Sequence, residues 1–244
     1  MIDWASYFDK IYCIHFLPDS KRIPRLETEL SRIGMLQSHV FTYRYTVPSP
    51  YDNCILEKCP GSRLPYINLC IETLKILKES MYFGHSRIMI IEDDVAFLND
   101  LDEIKSILDD IPEGYGIIQM DKGMHQSEKW MWDKNMTERK LNEHFVASPY
   151  HFVYATCNVY TDEGIKDAID SLENKMIAPD FITKDIGKPT AIAIRNLAIQ
   201  VLYDNACNLY YGPPEKLLRK YRSYGLDLRD YAVPEGYVGK CLTA

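Results

Sequence analysis

The chain lacks both glycine-rich signatures that cradle phosphates. Its 244 residues contain no G-x-G-x-x-G and no G-x-x-x-x-G-K-[ST], which excludes the usual dinucleotide and P-loop sites. No serine occupies a G-x-S-x-G elbow, which excludes that hydrolase nucleophile. No apolar run approaches the ~18–20 residues that a membrane-spanning helix needs. Lys and Arg number 28 against 35 Asp and Glu. A formal net charge of -7 argues against a general nucleic-acid binder, so no nucleic-acid partner is expected. The cysteines number 7 and form no paired motif. Cys54 and Cys59 have no further ligands nearby to suggest zinc. The opening, Met1 to Lys10, is acidic and aromatic and unlike a secretory signal. Reduced thiols and a cytoplasmic location are therefore expected. In that setting the sequon Asn135-Met136-Thr137 would go unglycosylated.

What is present suffices for a full core. Hydrophobic residues make up 46% of the chain, so wholesale disorder is not expected. The length suits one large domain or a domain with an appendage. The expected division is a domain over 1–212 and a basic, aromatic extension over 213–244. That extension carries Lys216, Arg219, Lys220, Arg222 and Arg229 between tyrosines. It suits a solvated helix, an anionic acceptor, or peripheral contact with lipid headgroups. Tyrosines number 18. They offer aromatic faces of the kind sugar and base sites use, or half-buried core.

Strands and helices alternate. Lys10 to Leu17 is a continuous apolar strand. A helix follows with Leu26, Leu30 and Ile33 on one face, and Gly34 stops it. Pro24 fits only a first turn, so the helix starts near Ile23. Val40 to Tyr45 reads as a second strand and Thr46 to Leu64 as a long loop. Tyr66 to Lys78 reads as a helix with Ile67, Cys70, Ile71, Leu74 and Leu77 on one face. Arg87 to Asp94 is a strand, followed by a helix from about Leu101 to Leu108. Tyr115 to Asp121 and Phe152 to Tyr160 are strands. Lys122 to Ser148 has no clear period; it carries Trp130 and Trp132 and could be a flap or a subunit contact. Thr161 caps a helix bearing Ile165, Ala168, Ile169 and Leu172. Ala191 to Leu202 is a further apolar strand. The predicted class is α/β with a mostly parallel central sheet flanked by helices.

One stretch concentrates chemistry. Arg87-Ile-Met-Ile-Ile-Glu-Asp-Asp-Val-Ala-Phe97 runs from an apolar strand straight into Glu92, Asp93 and Asp94. Open α/β sheets bind ligands at the carboxyl ends of their strands. Three adjacent acids repel one another unless something positive sits among them. A divalent cation holding a diphosphate would serve. A solvated turn ahead of an acid-loving helix N-terminus would also explain them.

The order of these segments resembles glycosyltransferase family 25, the lipooligosaccharide galactosyltransferase-like enzymes. Ile11 to Gly34, I-Y-C-I-H-F-L-P-D-S-K-R-I-P-R-L-E-T-E-L-S-R-I-G, looks like that family's opening strand, turn and arginine-bearing helix. I-M-I-I-E-D-D-V is similar to its Glu-Asp-Asp strand. Ala155 to Ile169 resembles the strand-to-helix segment that precedes a Pro-x-Asp-like element, here Ile177-Ala178-Pro179-Asp180. The likeness spans roughly residues 10 to 202. The family's Gly-Cys…Ser-His signature is replaced by Tyr66-Ile67-Asn68-Leu69-Cys70, and no histidine follows His151.

The resemblance implies a GT-A-like fold and transfer of a hexose from a nucleotide-sugar to a glycan hydroxyl. UDP-galactose or UDP-glucose is the implied donor, with Mn²⁺ or Mg²⁺ as cofactor. The leaving diphosphate must be neutralised, which a cation held by carboxylates does as a Lewis acid. Asp94 is the first choice of ligand. Glu92 comes next, because i and i+2 share a strand face. Asp93 then faces the other way and could bind the ribose. The acceptor hydroxyl needs a base. Asp180 is the candidate by matched position, with Asp121 at another strand end as the alternative. Arg22 and Arg25 could contact phosphates or form a solvated helix face. His15 reads as a hydrogen-bonded core residue. Asp180 could instead cap the turn after Pro179, and Asp121 could belong to an ordinary turn with Lys122 and Gly123. Two other classes fit these residues: a metal-dependent nucleotidyltransferase, and an inactive relative that binds sugar or protein.

Overall fold

The computed structural model describes residues 1–16, 22–46, 64–97, 99–121, 139–148, 156–175, 189–194 and 196–200. The expected loop at 46–64 lies largely outside them. So do Trp130, Trp132, the Pro179-Asp180 element and the extension over 213–244.

The strands are β1 (Lys10–Phe16), β2 (Phe41–Thr46), β3 (Arg87–Glu92), β4 (Val95–Phe97), β5 (Ile117–Gln119), β6 (Phe145–Ser148), β7 (Cys157–Thr161), β8 (Thr190–Ala193) and β9 (Ala198–Gln200). The helices are α1 (Ile23–Arg32), α2 (Leu64–Phe83), α3 (Leu101–Asp109) and α4 (Asp162–Lys175). A 7-stranded sheet runs in the order β2-β1-β3-β7-β5-β8-β6. Its pairings run parallel for β2-β1, β1-β3 and β5-β8 and antiparallel for the rest. Only β7 and β6 therefore oppose the common direction, and the predicted α/β class with a mostly parallel sheet holds. The remaining strands, β4 and β9, pair antiparallel as a separate ribbon.

Two apolar layers sandwich the sheet. Leu26 and Leu30 of α1 and Ile104, Ile107 and Leu108 of α3 pack with Cys13, Met89, Ile91 and Cys157 on one face. On the other, Ile76 and Leu77 of α2 and Ile165, Ala168 and Leu172 of α4 pack with Tyr12, Ile88, Ile90 and Tyr160. The period-2 alternation of strand side chains supplies both faces at once. The helix starts follow local chemistry. Pro24 sits in the first turn of α1 and Gly34, at φ 71°, ends it. The Asp100 carboxylate accepts from the Glu103 amide at 2.9 Å, and the Thr161 hydroxyl from the Gly164 amide at 3.2 Å. Both are ordinary N-caps.

Three sequence expectations need correction. The buried stripe of α2 is Asn68, Glu72, Thr73, Ile76, Leu77 and Ser80; Cys70, Ile71 and Leu74 are only half-buried. Arg44 of β2 causes the rotation, since its guanidinium binds Glu72 at 2.9 Å and Glu79 at 2.8 Å. The aperiodic 122–148 stretch contains strand β6. The expected strand from Ala191 is two strands, with β8 in the main sheet and β9 in the ribbon.

At Gly164, α4 passes close to the backbone just ahead of β5. A Cβ there would lie 1.7 Å from the Gly116 carbonyl oxygen and 2.4 Å from its carbon. Those are backbone atoms, and they are fixed further by Thr161, whose amide donates to the Gly116 carbonyl at 3.1 Å. Gly164→Ala is expected to lower stability by ~1–3 kcal/mol through overpacking. Denaturant titration checks this, and an unchanged midpoint would count against the close approach.

Candidate functional site

The chain reverses direction across the sheet between β1 and β3. α1 carries β1 to β2 along one face, and α2 carries β2 to β3 along the other. The helices that follow β1 and β3, α1 and α3, both pack on one face, and the carboxyl ends of β1 and β3 lie side by side at the edge where open α/β sheets bind ligands. The acids sit there. β3 ends at Glu92, beside Ile14 of β1, and Asp93-Asp94 form the turn into β4.

Ending the strand at Glu92 changes one premise. Strand alternation does not extend to Asp94, so Glu92 and Asp94 are not set on one face by the i, i+2 rule. Asp93 and Asp94 both turn toward α1. Arg22 Nη1 donates to Asp93 Oδ1 at 2.6 Å and lies 3.7 Å from Asp94 Oδ2. His15 Nδ1 is 2.6 Å from Asp93 Oδ2. An ionised carboxylate only accepts, so the imidazole proton sits on Nδ1. Arg25 holds the turn by its backbone, donating to the carbonyls of Val95 at 2.9 Å and Asp93 at 3.1 Å. Arg32 does the same for β4, reaching the Phe97 carbonyl at 2.6 Å.

The positive charge that three adjacent acids demand thus comes first from the chain itself. Arg22 and Arg25 are neither a solvated helix face nor uncommitted phosphate ligands. Asp93, expected at the ribose, has both carboxylate oxygens engaged by His15 and Arg22. Burial acts to raise the Asp93 carboxyl. The His15 hydrogen bond and the charge and hydrogen bond of Arg22 outweigh it and hold the group below the usual carboxylate range. The field at this edge is negative all the same. Burial pushes the Cys13 thiol up, and Asp93, Asp94 and Glu92 push it further. Cys13, Cys70 and Cys157 are free thiols.

Asp121 belongs to the same edge. It follows β5, and its Oδ1 accepts from the Cys157 amide at 3.2 Å. Cys157 in turn lies opposite Ile91 of β3. One strand therefore separates Asp121 from the acidic turn. Asp121 is 3% exposed, and its carboxylate ties β5 to β7. Asp180 lies outside the described residues.

Among the described residues, no group of three His, Cys, Asp or Glu could hold a metal ion by itself. A cation that arrives with a diphosphate needs only one or two carboxylates, with phosphate and water oxygens completing its shell.

No protein-family model matches the chain, and no curated protein matches it. Solved structures do. One is a glycosyltransferase involved in glycosylation of the major capsid of PBCV-1, at 11% identity and TM-score 0.37, covering 72% of this chain and 75% of that one. Another is mouse xyloside xylosyltransferase 1 in its apo form, at 9% identity and TM-score 0.36, covering 72% and 73%. A third is a cytidylyltransferase from Leptospira borgpetersenii serovar Hardjo-bovis, at 14% identity and TM-score 0.38, covering 94% and 90%. Among the described residues, no helix is long and apolar enough to cross a membrane.

Proposed function

We propose that this chain is a glycosyltransferase that moves a hexose from a nucleoside-diphosphate sugar to a hydroxyl of a glycan acceptor. The observation that carries this reading is the braced acidic turn, Asp93-Asp94, at the adjoining carboxyl ends of β1 and β3. UDP-galactose and UDP-glucose are the donors to test first, on the strength of the family resemblance. Asp94 and Glu92 would hold Mn²⁺ or Mg²⁺ against the diphosphate, and the cation would supply charge neutralisation for the leaving group. Arg22 keeps the two turn carboxylates from repelling one another. His15 and Asp93 fix Arg22, and Arg25 fixes the turn's backbone. Asp180 or Asp121 takes the acceptor proton.

The deciding experiment is hydrolysis of a panel of nucleotide-sugars with Mn²⁺. Release of a nucleoside diphosphate from one of them supports the reading. Release of pyrophosphate from a nucleoside triphosphate would make the chain a nucleotidyltransferase instead. Absence of both, with no thermal shift by any nucleotide, would leave a binding module.

Asp94→Ala is the accompanying prediction. It should remove the metal-dependent part of the thermal shift by a nucleoside diphosphate. For wild type that shift corresponds to about 2.7 kcal/mol at a hundredfold excess over the dissociation constant. The variant should remain folded, because Arg22 keeps its 2.6 Å contact with Asp93 and one like-charge neighbour is gone. An unchanged metal-dependent shift in a folded Asp94→Ala protein would take Asp94 out of the site.

A further inference from the structure

A second polar cluster lies on the opposite face of the same edge, under α2 and α4. The Glu92 amide donates to the Thr156 carbonyl at 3.0 Å, and Ile90 lies opposite Asn158. Asn158 is also opposite Gln119 of β5. By alternation, Glu92, Thr156, Asn158 and Gln119 share the face that holds Ile88, Ile90, Ile117 and Tyr160. Four polar side chains therefore interrupt an apolar layer, and all of them gather at its carboxyl end.

Thr156 and Asn158 are 1% and 2% exposed. Neither Thr156 Oγ1 nor Asn158 Oδ1 has a hydrogen-bond partner, and the same holds for Nδ2 of buried Asn68 on α2. Glu72 of α2 pairs with Arg44, which is level with Ile14 and hence with Glu92. Asn68 sits one helical turn nearer the carboxyl edge. Buried polar atoms nearly always find a partner, and those that do not mark a missing water or ligand. The orphans comprise a hydroxyl, an amide oxygen and an amide N–H. The neighbouring Glu92 carboxylate disfavours an anion. Alcohol hydroxyls both donate and accept, and they match this mixed set.

We propose that Thr156 and Asn158, with Asn68 at the edge, form a subsite for the hydroxyl groups of the donor's hexose. The inference rests on the proposed transferase function. It assigns the two faces of the crevice separate tasks. The α1 side, with Arg22 and His15, organises the acidic turn. The α2/α4 side reads the sugar.

The test compares UDP with UDP-glucose and UDP-galactose by calorimetry, on the full chain with Mn²⁺. Wild type should bind one of the UDP-hexoses more tightly than UDP. Thr156→Val and Asn158→Leu should leave UDP affinity unchanged and weaken that UDP-hexose by roughly tenfold or more. The ligand-free melting temperature of Thr156→Val should hold or rise, because it replaces an orphaned hydroxyl with a methyl of similar shape. Thr156→Ser should restore the hexose contribution. Should Asn158→Leu fail to fold, the near-isosteric Thr156→Val decides alone. Full UDP-hexose affinity in folded Thr156→Val would overturn the inference, with water the partner of these atoms. A wild type that gains nothing from the hexose would also overturn it while sparing the nucleotide site. A wild type that binds neither UDP nor a UDP-hexose refutes the proposed function and this subsite together.

Discussion

Arg22→Ala is expected to lower folding stability by about 3–5 kcal/mol at neutral pH, the usual cost of stranding a buried charge. Arg22 is the cation between Asp93 and Asp94, whose side chains are 6% and 3% exposed. Without it, two adjacent carboxylates remain in a poorly solvated turn, with the His15 contact to Asp93 still in place. Lysine should recover part of the loss, because a point charge cannot reproduce the guanidinium's reach to both acids. The pH dependence has a definite sign. The Asp93 carboxyl is held below its ordinary value in the folded chain. Its contribution is therefore complete above the unfolded value, about 4, and is lost as pH falls through the lower, folded value. Removing Arg22 weakens that depression. The gap between wild type and variant should be widest at neutral pH and should narrow on acidification. Denaturant titrations at several pH values check both statements. A gap that stays constant with pH would mean that Arg22 acts through packing and not through Asp93.

The sequence made the acids legible and left their partners hidden. Ile88 to Ile91 followed by Glu92 announces a buried strand with acids at its mouth, because a local pattern carries that information. The boundaries of α1 were equally local, set by Pro24, Gly34 and the Leu26, Leu30, Ile33 spacing. Arg22 and Arg25 could not be assigned in the same way. They meet Asp93 across about seventy residues of chain, and only the β1–β3 pairing brings them together. The buried face of α2 departs from its apolar periodicity for the same reason. Glu72 and Glu79 turn inward because Arg44 waits on a different strand. Thr156 and Asn158 gave no signal, since one hydroxyl and one amide in a strand are unremarkable until their burial is known. Apolar periodicity reports which way an element faces only when polar residues lack distant partners.

The proton acceptor carries the other large effect. Asp180→Asn should preserve donor affinity and lower turnover by roughly 10²–10⁴-fold if Asp180 is the base, because the amide keeps the shape but cannot take a proton. Asp121→Asn is the matched comparison, and the structure makes it a fair one. Asp121 Oδ1 accepts from the Cys157 amide, and an asparagine oxygen can do the same. The tie between β5 and β7 should therefore survive, and the melting temperature of Asp121→Asn, measured beside turnover, separates lost chemistry from unfolding. Burial and the Asp121 charge both push the Cys157 thiol up. Turnover lost in Asp180→Asn alone assigns the base to the Pro179-Asp180 element. Turnover lost in Asp121→Asn alone assigns it to the end of β5, one strand from the acidic turn, and the matched position at Asp180 becomes a turn cap. Full turnover in both variants would place the acceptor's proton on neither aspartate, and the transfer step proposed above would be wrong at its centre.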